Sequence, residues 1–216
     1  MYDVHVFSEA GGHQTNEDAW SAEPHPTDPS CLVCALADGQ GGRAGGAEAA
    51  AVACRTTLKA LHDEAPKQLA RPFRWPGLLA AADRAAAEAA DAGFTTLVAL
   101  AIRDGHLCGA SNGDSAAVAI CGGRTLQLTA NQPKNPPVGS GMAGFVPFAV
   151  PLEAPWRVLL MSDGVWKYVG WEAITAIAAQ HRGPAVIDKL QAAARLPGSG
   201  KFQDDFTVVV VEAALR

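Results

Sequence analysis

Five places in this chain put carboxylates where an apolar run begins or ends: Glu17-Asp18, Asp38, Asp114, Asp163 and Asp204-Asp205. Asp38 closes the run Cys31 to Ala37 and opens a glycine-rich turn that reaches Gly46. Asp163 follows Trp156 to Met161, and Asp204-Asp205 precedes Thr207 to Val211. Asp114 interrupts two strand-like runs, and Glu17-Asp18 leads a polar cluster into Ala19-Trp20. One acid in such a setting is an ordinary turn-former, and Asp104-Gly105 reads as just that, the centre of a type I′ hairpin. Their joint occurrence points to chemistry. Strand ends gather at one edge of a sheet, so these groups can converge. Converging carboxylates repel one another and resist ionisation unless cations hold them. Carboxylates with a backbone carbonyl and water suit Mg²⁺ or Mn²⁺ rather than zinc. Two such ions about 3.5–4 Å apart lower the pKa of a shared water and present it to an electrophile such as phosphorus.

The elements that would position these acids are legible as runs. Asp3 to Glu9 alternates as a short strand, with Val4, Val6 and Ser8 on one face. Glu23 to Ser30, with its prolines, reads as a loop. Cys31 to Ala37 is continuous enough to be a strand buried on both faces. Alanine-rich segments from Ala47 to Glu64 and from Pro72 to Ala92 read as helices. Phe94 to Arg103, His106 to Ala110, Ala116 to Cys121 and Arg124 to Thr129 read as an antiparallel meander with turns at Asp104-Gly105 and Gly122-Gly123. Ala130 to Pro155, rich in proline and glycine, reads as a long loop or flap. Trp156 to Met161 and Thr207 to Val211 are buried strands, with helices from Trp171 to His181 and from Pro184 onward between them.

The 216 residues fit one domain spanning 1–216, and 49% apolar content supplies a core. A net charge of −5 with no basic run argues against nucleic acid or an anionic membrane surface as partner. Five scattered cysteines read as reduced core thiols, which, without a leader peptide or a membrane span, implies a cytoplasmic protein. Cys31 and Cys34 have C-x-x-C spacing, but strand alternation sends them to opposite faces, away from redox or zinc chemistry.

Taken in order, the acidic motifs resemble those of the protein phosphatase 2C family, the metal-dependent serine/threonine phosphatases. They are Asn16-Glu17-Asp18-Ala19, Ala37-Asp38-Gly39-Gln40-Gly41-Gly42, Phe94-Thr95-Thr96, Ser111-Asn112-Gly113-Asp114-Ser115, Met161-Ser162-Asp163-Gly164-Val165-Trp166 and Asp204-Asp205-Phe206-Thr207-Val208. Each is short; six in this order over nearly the whole chain are specific. The resemblance implies an α+β fold, a four-layer α-β-β-α sandwich of two antiparallel sheets flanked by helices. It implies two Mn²⁺ or Mg²⁺ ions bridged by Asp38. Glu17 and the Gly39 carbonyl would complete one site, and Asp163 with Asp204 the other. Asp18 would orient bound water from behind, and Asp114 with Asp163 would belong to a weaker third site. The implied reaction is in-line attack of a metal-bridging hydroxide on phosphoserine or phosphothreonine, without a phosphoenzyme.

Three positions depart from the family pattern. His13 stands where many members have a phosphate-binding arginine, and imidazole is shorter and only partly charged at neutral pH. Gln40 stands where some members have a histidine general acid, so His13 or a water would protonate the leaving group. Lys167 stands where many have an acid, which weakens the third metal site. The reading is a phosphoprotein phosphatase linked to a serine/threonine kinase pathway, with His13, Asp18 and Asp38 as its catalytic residues. The alternatives are a pseudophosphatase that binds a phosphoprotein, and a phosphatase for a small phosphorylated metabolite.

Overall fold

Alternation along the apolar strands sets the layering. In the strand Asp28–Asp38, Cys31, Val33, Ala35 and Ala37 enter one core, while Leu32, Cys34 and Leu36 enter another. In the strand Phe206–Ala213, Val209 and Val211 join that second core, and Phe206, Val208 and Val210 enter a third. Period-2 side chains on a strand covered on both sides must serve two cores at once. Two sheets packed face to face with helices outside satisfy that demand.

The computed structural model describes residues 2–40, 45–89 and 93–214. Gly41-Gly42 of the glycine-rich motif, and the predicted helix end at 90–92, lie outside the described residues. In chain order the elements are β1 (Tyr2–Glu9), β2 (Asp18–His25), β3 (Asp28–Asp38), α1 (Gly46–Asp63), α2 (Trp75–Ala87), β4 (Leu97–Arg103), β5 (His106–Asn112), β6 (Ala116–Cys121), β7 (Arg124–Gln127), β8 (Val146–Pro151), β9 (Trp156–Met161), α3 (Asp163–Val169), α4 (Trp171–Gln180), α5 (Pro184–Ala194) and β10 (Phe206–Ala213). One antiparallel sheet runs β1-β10-β9-β6-β7 and the other β2-β3-β4-β5-β8. Residues of α1 and α2 cover the second sheet, and residues of α3, α4 and α5 cover the first. The four-layer α-β-β-α sandwich is therefore as the motifs implied. All five cysteines are buried and free, with Cys31 and Cys34 in different cores. Among the described residues no helix is long and apolar enough to cross a membrane.

Four expectations need correction. Glu23 to Ser30 is not a loop, because β2 and β3 pair almost to their tips and leave only Pro26-Thr27 between them. The strands β4 to β7 do not form one meander. The chain crosses from the second sheet to the first between Asn112 and Ala116, at the break that carries Asp114. The second helix starts at Trp75, after a short 3₁₀ turn at Pro72–Arg74. The segment 130–155 contains β8, which pairs with β5. Pro147 and Pro151 mask it in the sequence; they are tolerated because β8 is an edge strand with no further partner to receive a donor. The hairpin at Asp104-Gly105 is as predicted, with φ of 51° and 71°, the left-handed pair that a type I′ turn needs.

Candidate functional site

The strand ends meet around a cavity of about 740 Å³. Asp38 reaches it from the end of β3 and Asp163 from the first residue of α3, just past β9. Asp204 arrives from the segment before β10, Glu17 from the residue before β2, and Asp114 from the crossing between sheets. Gly39 and His13 also line it. Asp18 does not. It pairs in register with Asp38 across β2 and β3, and its carboxylate sits behind the cavity, near the hydroxyls of Ser162 and Thr207.

Backbone contacts fix these positions. The Asp38 carbonyl accepts from Thr96 N–H at 2.9 Å and from the Thr95 hydroxyl at 2.9 Å, while Asp38 N–H donates to Thr96 Oγ1 at 3.0 Å. Gly39 N–H donates to the Glu17 carbonyl at 3.2 Å. Asp205 is buried and works differently from its neighbour Asp204. Its Oδ1 accepts from Gly11 N–H at 2.9 Å and its Oδ2 from Glu17 N–H at 2.6 Å. Backbone packs against backbone here. A Cβ added at Gly11 would lie 2.1 Å from the Asp204 carbonyl oxygen, and one at Gly164 would lie 2.1 Å from that of Asp205.

Crowding of acids leaves an electrostatic mark. Burial first, then the charges of Asp18 and Asp163, push the Asp38 carboxyl up to about 9. Burial pushes Asp18 up to about 7, with the charges of Asp205 and Asp163 adding to it. Glu17 and Asp163 are also raised, each chiefly by burial. Unfolded, such acids ionise near pH 4. Between about pH 4 and 9 the folded protein therefore holds protons that the unfolded chain lacks, and its stability falls as pH rises through that window. The expected result is a melting temperature that declines from about pH 5 to about pH 8.5 in chelator and that Mn²⁺ largely restores. A flat profile in chelator would mean that the acids do not crowd one another.

The donor set fits a hard divalent cation in its chemistry: carboxylates and a carbonyl, with no thiol or imidazole cluster. Glu17 Oε2 and both carboxylate oxygens of Asp18 are buried without a hydrogen-bond partner among the described residues. Buried acceptors left unmatched in this way call for a cation or an ordered water. As they stand, no three acidic, His or Cys side chains among the described residues are grouped tightly enough to cage an ion. Two of the acids are instead drawn to lysines. Asp163 pairs with Lys167 and Asp114 with Lys134, the latter at 3.0 Å. Side-chain rotation away from these exposed ammonium groups would be needed to close an ion's shell.

The model of the family described as Stage II sporulation protein E (SpoIIE) matches residues 28–214. The chain belongs to the SpoIIE family. No curated protein matches it significantly. Among solved structures, the Mycobacterium tuberculosis serine/threonine phosphatase PstP/Ppp superposes with a TM-score of 0.81 at 23% identity, covering 99% of each chain. The catalytic domain of PstP in complex with two manganese ions gives 0.79 at 24%, covering 98% of this chain and 97% of that one. Stp1 from Staphylococcus aureus gives 0.81 at 18%, covering 100% and 96%. These likenesses establish a shared fold, that of solved serine/threonine phosphatases.

In this SpoIIE-family chain, three residues have positioning roles that the sequence did not assign them. Asp205 is the first. Asp83, buried on α2, is the second. Its Oδ1 accepts from Gly139 and Gly141 N–H at 2.8 and 3.1 Å, and its Oδ2 from Ala143 N–H at 3.0 Å. Asn112 is the third, donating from Nδ2 to the carbonyls of Pro136 and Gly144. Asp83 and Asn112 together tie down the segment whose Lys134, Asn135 and Pro137 wall the cavity. Asp83→Ala should leave three backbone donors unmatched and cost about 2–4 kcal/mol. Urea melts would measure that cost, and limited proteolysis should open first near residues 139–143.

Proposed function

We propose that the chain hydrolyses phosphoserine or phosphothreonine in proteins, with two Mn²⁺ or Mg²⁺ ions as cofactors. The observation that carries this reading is the meeting of Glu17, Asp38, Asp163 and Asp204 around one cavity, with buried carboxylate oxygens lacking partners. The shared fold, and the two manganese ions held by one protein of that fold, support it. Asp38, Glu17, Asp163, Asp204 and the Gly39 carbonyl would hold the ions. When bound, the ions would supply an ionised water near neutral pH and positive charge for the phosphoryl oxygens.

The chain's own residues have the remaining work. Asp18, raised toward neutrality behind Asp38, can hold a proton or orient a water in the cavity. His13 sits exposed at the rim and would contact the phosphate. With Asp163 engaged in holding an ion, Lys167 would be freed beside the cavity, where its charge suits an incoming phosphate. The phosphorylated substrate would come from a serine/threonine kinase.

The test is hydrolysis of an aryl phosphate with Mn²⁺, with Mg²⁺ and with chelator. Turnover that requires the metal and is lost on chelation is expected. No turnover under any of these conditions would leave the binding-module reading in its place. A panel of phosphopeptides and phosphorylated metabolites then separates protein from small-molecule substrates.

A further inference from the structure

A second, smaller cavity of about 180 Å³ lies beside the first and shares Gly113, Asp114 and Lys134 with it. Its wall includes Trp166 and Trp171, whose rings stack 5.8 Å apart with an interplanar angle of 13°. Trp166 is fixed further, because its Nε1 donates to the Asp114 carbonyl at 2.9 Å. One residue, Asp114, thus presents its carboxylate to the first cavity's wall and anchors the indole wall of the second. Gln127 and Ala130, both exposed, also border the smaller cavity.

Its size and continuity say what it can take. A space of about 180 Å³ is below the roughly 300–1,000 Å³ that whole small ligands occupy. It can seat part of a molecule whose remainder lies in the first cavity, across the shared ridge. Asp114 and Lys134 offset each other at 3.0 Å, so the ridge carries little net charge. Indoles, alanines and uncharged amides make up much of the rest of the wall. Such a wall favours an uncharged side chain that packs against aromatic rings. An extended chain advances about 3.3 Å per residue, so a neighbour within two positions of the phosphorylated residue can reach over the ridge.

We propose that this second cavity seats an uncharged, medium-sized side chain flanking the phosphorylated residue of a polypeptide substrate. This rests on the phosphatase reading and narrows it, because a small phosphorylated metabolite would have nothing to place there. Trp166 and Trp171 would then select substrates without touching the reacting phosphorus.

Gln127→Trp and Ala130→Trp test the seat by crowding its mouth from exposed positions outside the first cavity. Phosphopeptides carrying Leu or Met beside the phosphoserine should lose about tenfold or more in kcat/KM. Hydrolysis of an aryl phosphate should stay within about twofold, and so should that of a phosphopeptide flanked only by glycines. Equal losses on all substrates, or no loss on the Leu and Met peptides, would overturn the proposal. If the unaltered chain hydrolyses no aryl phosphate, the phosphatase reading fails on its own. The seat is then judged by fluorescence anisotropy of the same dye-labelled phosphopeptides. Their Kd should rise about tenfold in both variants, and an unchanged Kd would exclude the seat.

Discussion

Asp38→Asn is expected to raise the melting temperature of the metal-free protein and, in the same variant, to abolish Mn²⁺-dependent turnover. The two halves have one cause. Asp38 is half-buried beside Asp18 and Asp163, so in the absence of cations it must take up a proton or carry an unfavourable charge. Asparagine does neither. Its Oδ1 can still accept from Asp163 N–H, which now reaches Asp38 Oδ2 at 3.4 Å. A gain of about 1 kcal/mol corresponds to about 2–4 °C for a chain of this size. The neutral amide, however, is a poor ligand for the divalent cations that the proposed function places here. Turnover should fall about a thousandfold or more, equivalent to about 4 kcal/mol of lost transition-state stabilisation. Mn²⁺ should no longer raise the melting point, and titration calorimetry should show the binding lost. A variant that melts lower in chelator yet still binds Mn²⁺ would show that Asp38 holds the fold and not the ions.

That pairing of signs separates a site from a scaffold. A carboxylate kept for structure destabilises the protein when removed, because the donors it satisfied are left bare. A carboxylate kept for a ligand sits in surroundings that disfavour it, and removing it relieves them. On the proposed function Asp38 belongs with the second kind, and Asp83 with the first. Asp38 is crowded by like charges, whereas Asp83 is surrounded by three backbone N–H groups.

The sequence allowed much of the fold and the acidic set to be read, and the failures have physical reasons. Runs such as Cys31 to Ala37 and Trp156 to Met161 stand out because both faces of those strands are buried, so apolar residues dominate them and the one charge, Arg157, is buried against Glu212. β2 and β8 were hidden because each is an edge strand, where prolines and charges are allowed. The crossing between sheets at 112–116 was invisible because a hairpin turn and a change of sheet use the same small polar residues. The acids of the cavity were found because each abuts an apolar run. Asp83 was missed, and Asp205 was seen only as one of an acidic pair, because both act on backbone N–H groups far away in the chain. Asp205 meets Gly11 and Glu17, 194 and 188 residues distant, and nothing local marks such a partner.

Asp205→Ala should have the largest effect on stability among the acids of this region. Both its oxygens are engaged with backbone donors, Gly11 N–H and Glu17 N–H, in a place with little water. Truncation would leave both donors unmatched and open a gap beside β10, at a cost of about 2–5 kcal/mol. At about 2–4 °C per kcal/mol, that is a drop of about 4–20 °C in melting temperature, in chelator and in Mn²⁺ alike. Asp205→Asn should fall between, since its one oxygen can serve one donor while its amide nitrogen faces the other. Metal affinity should weaken too, because the residue that loses its backbone tether is Glu17, one of the acids facing the cavity. The order of the two effects is the diagnostic. Asp204→Ala, one residue earlier, should leave the metal-free melting temperature near that of the unaltered chain and still weaken Mn²⁺ binding. If the two neighbours behaved alike, the division between Asp204 as ligand and Asp205 as tether would have to be withdrawn.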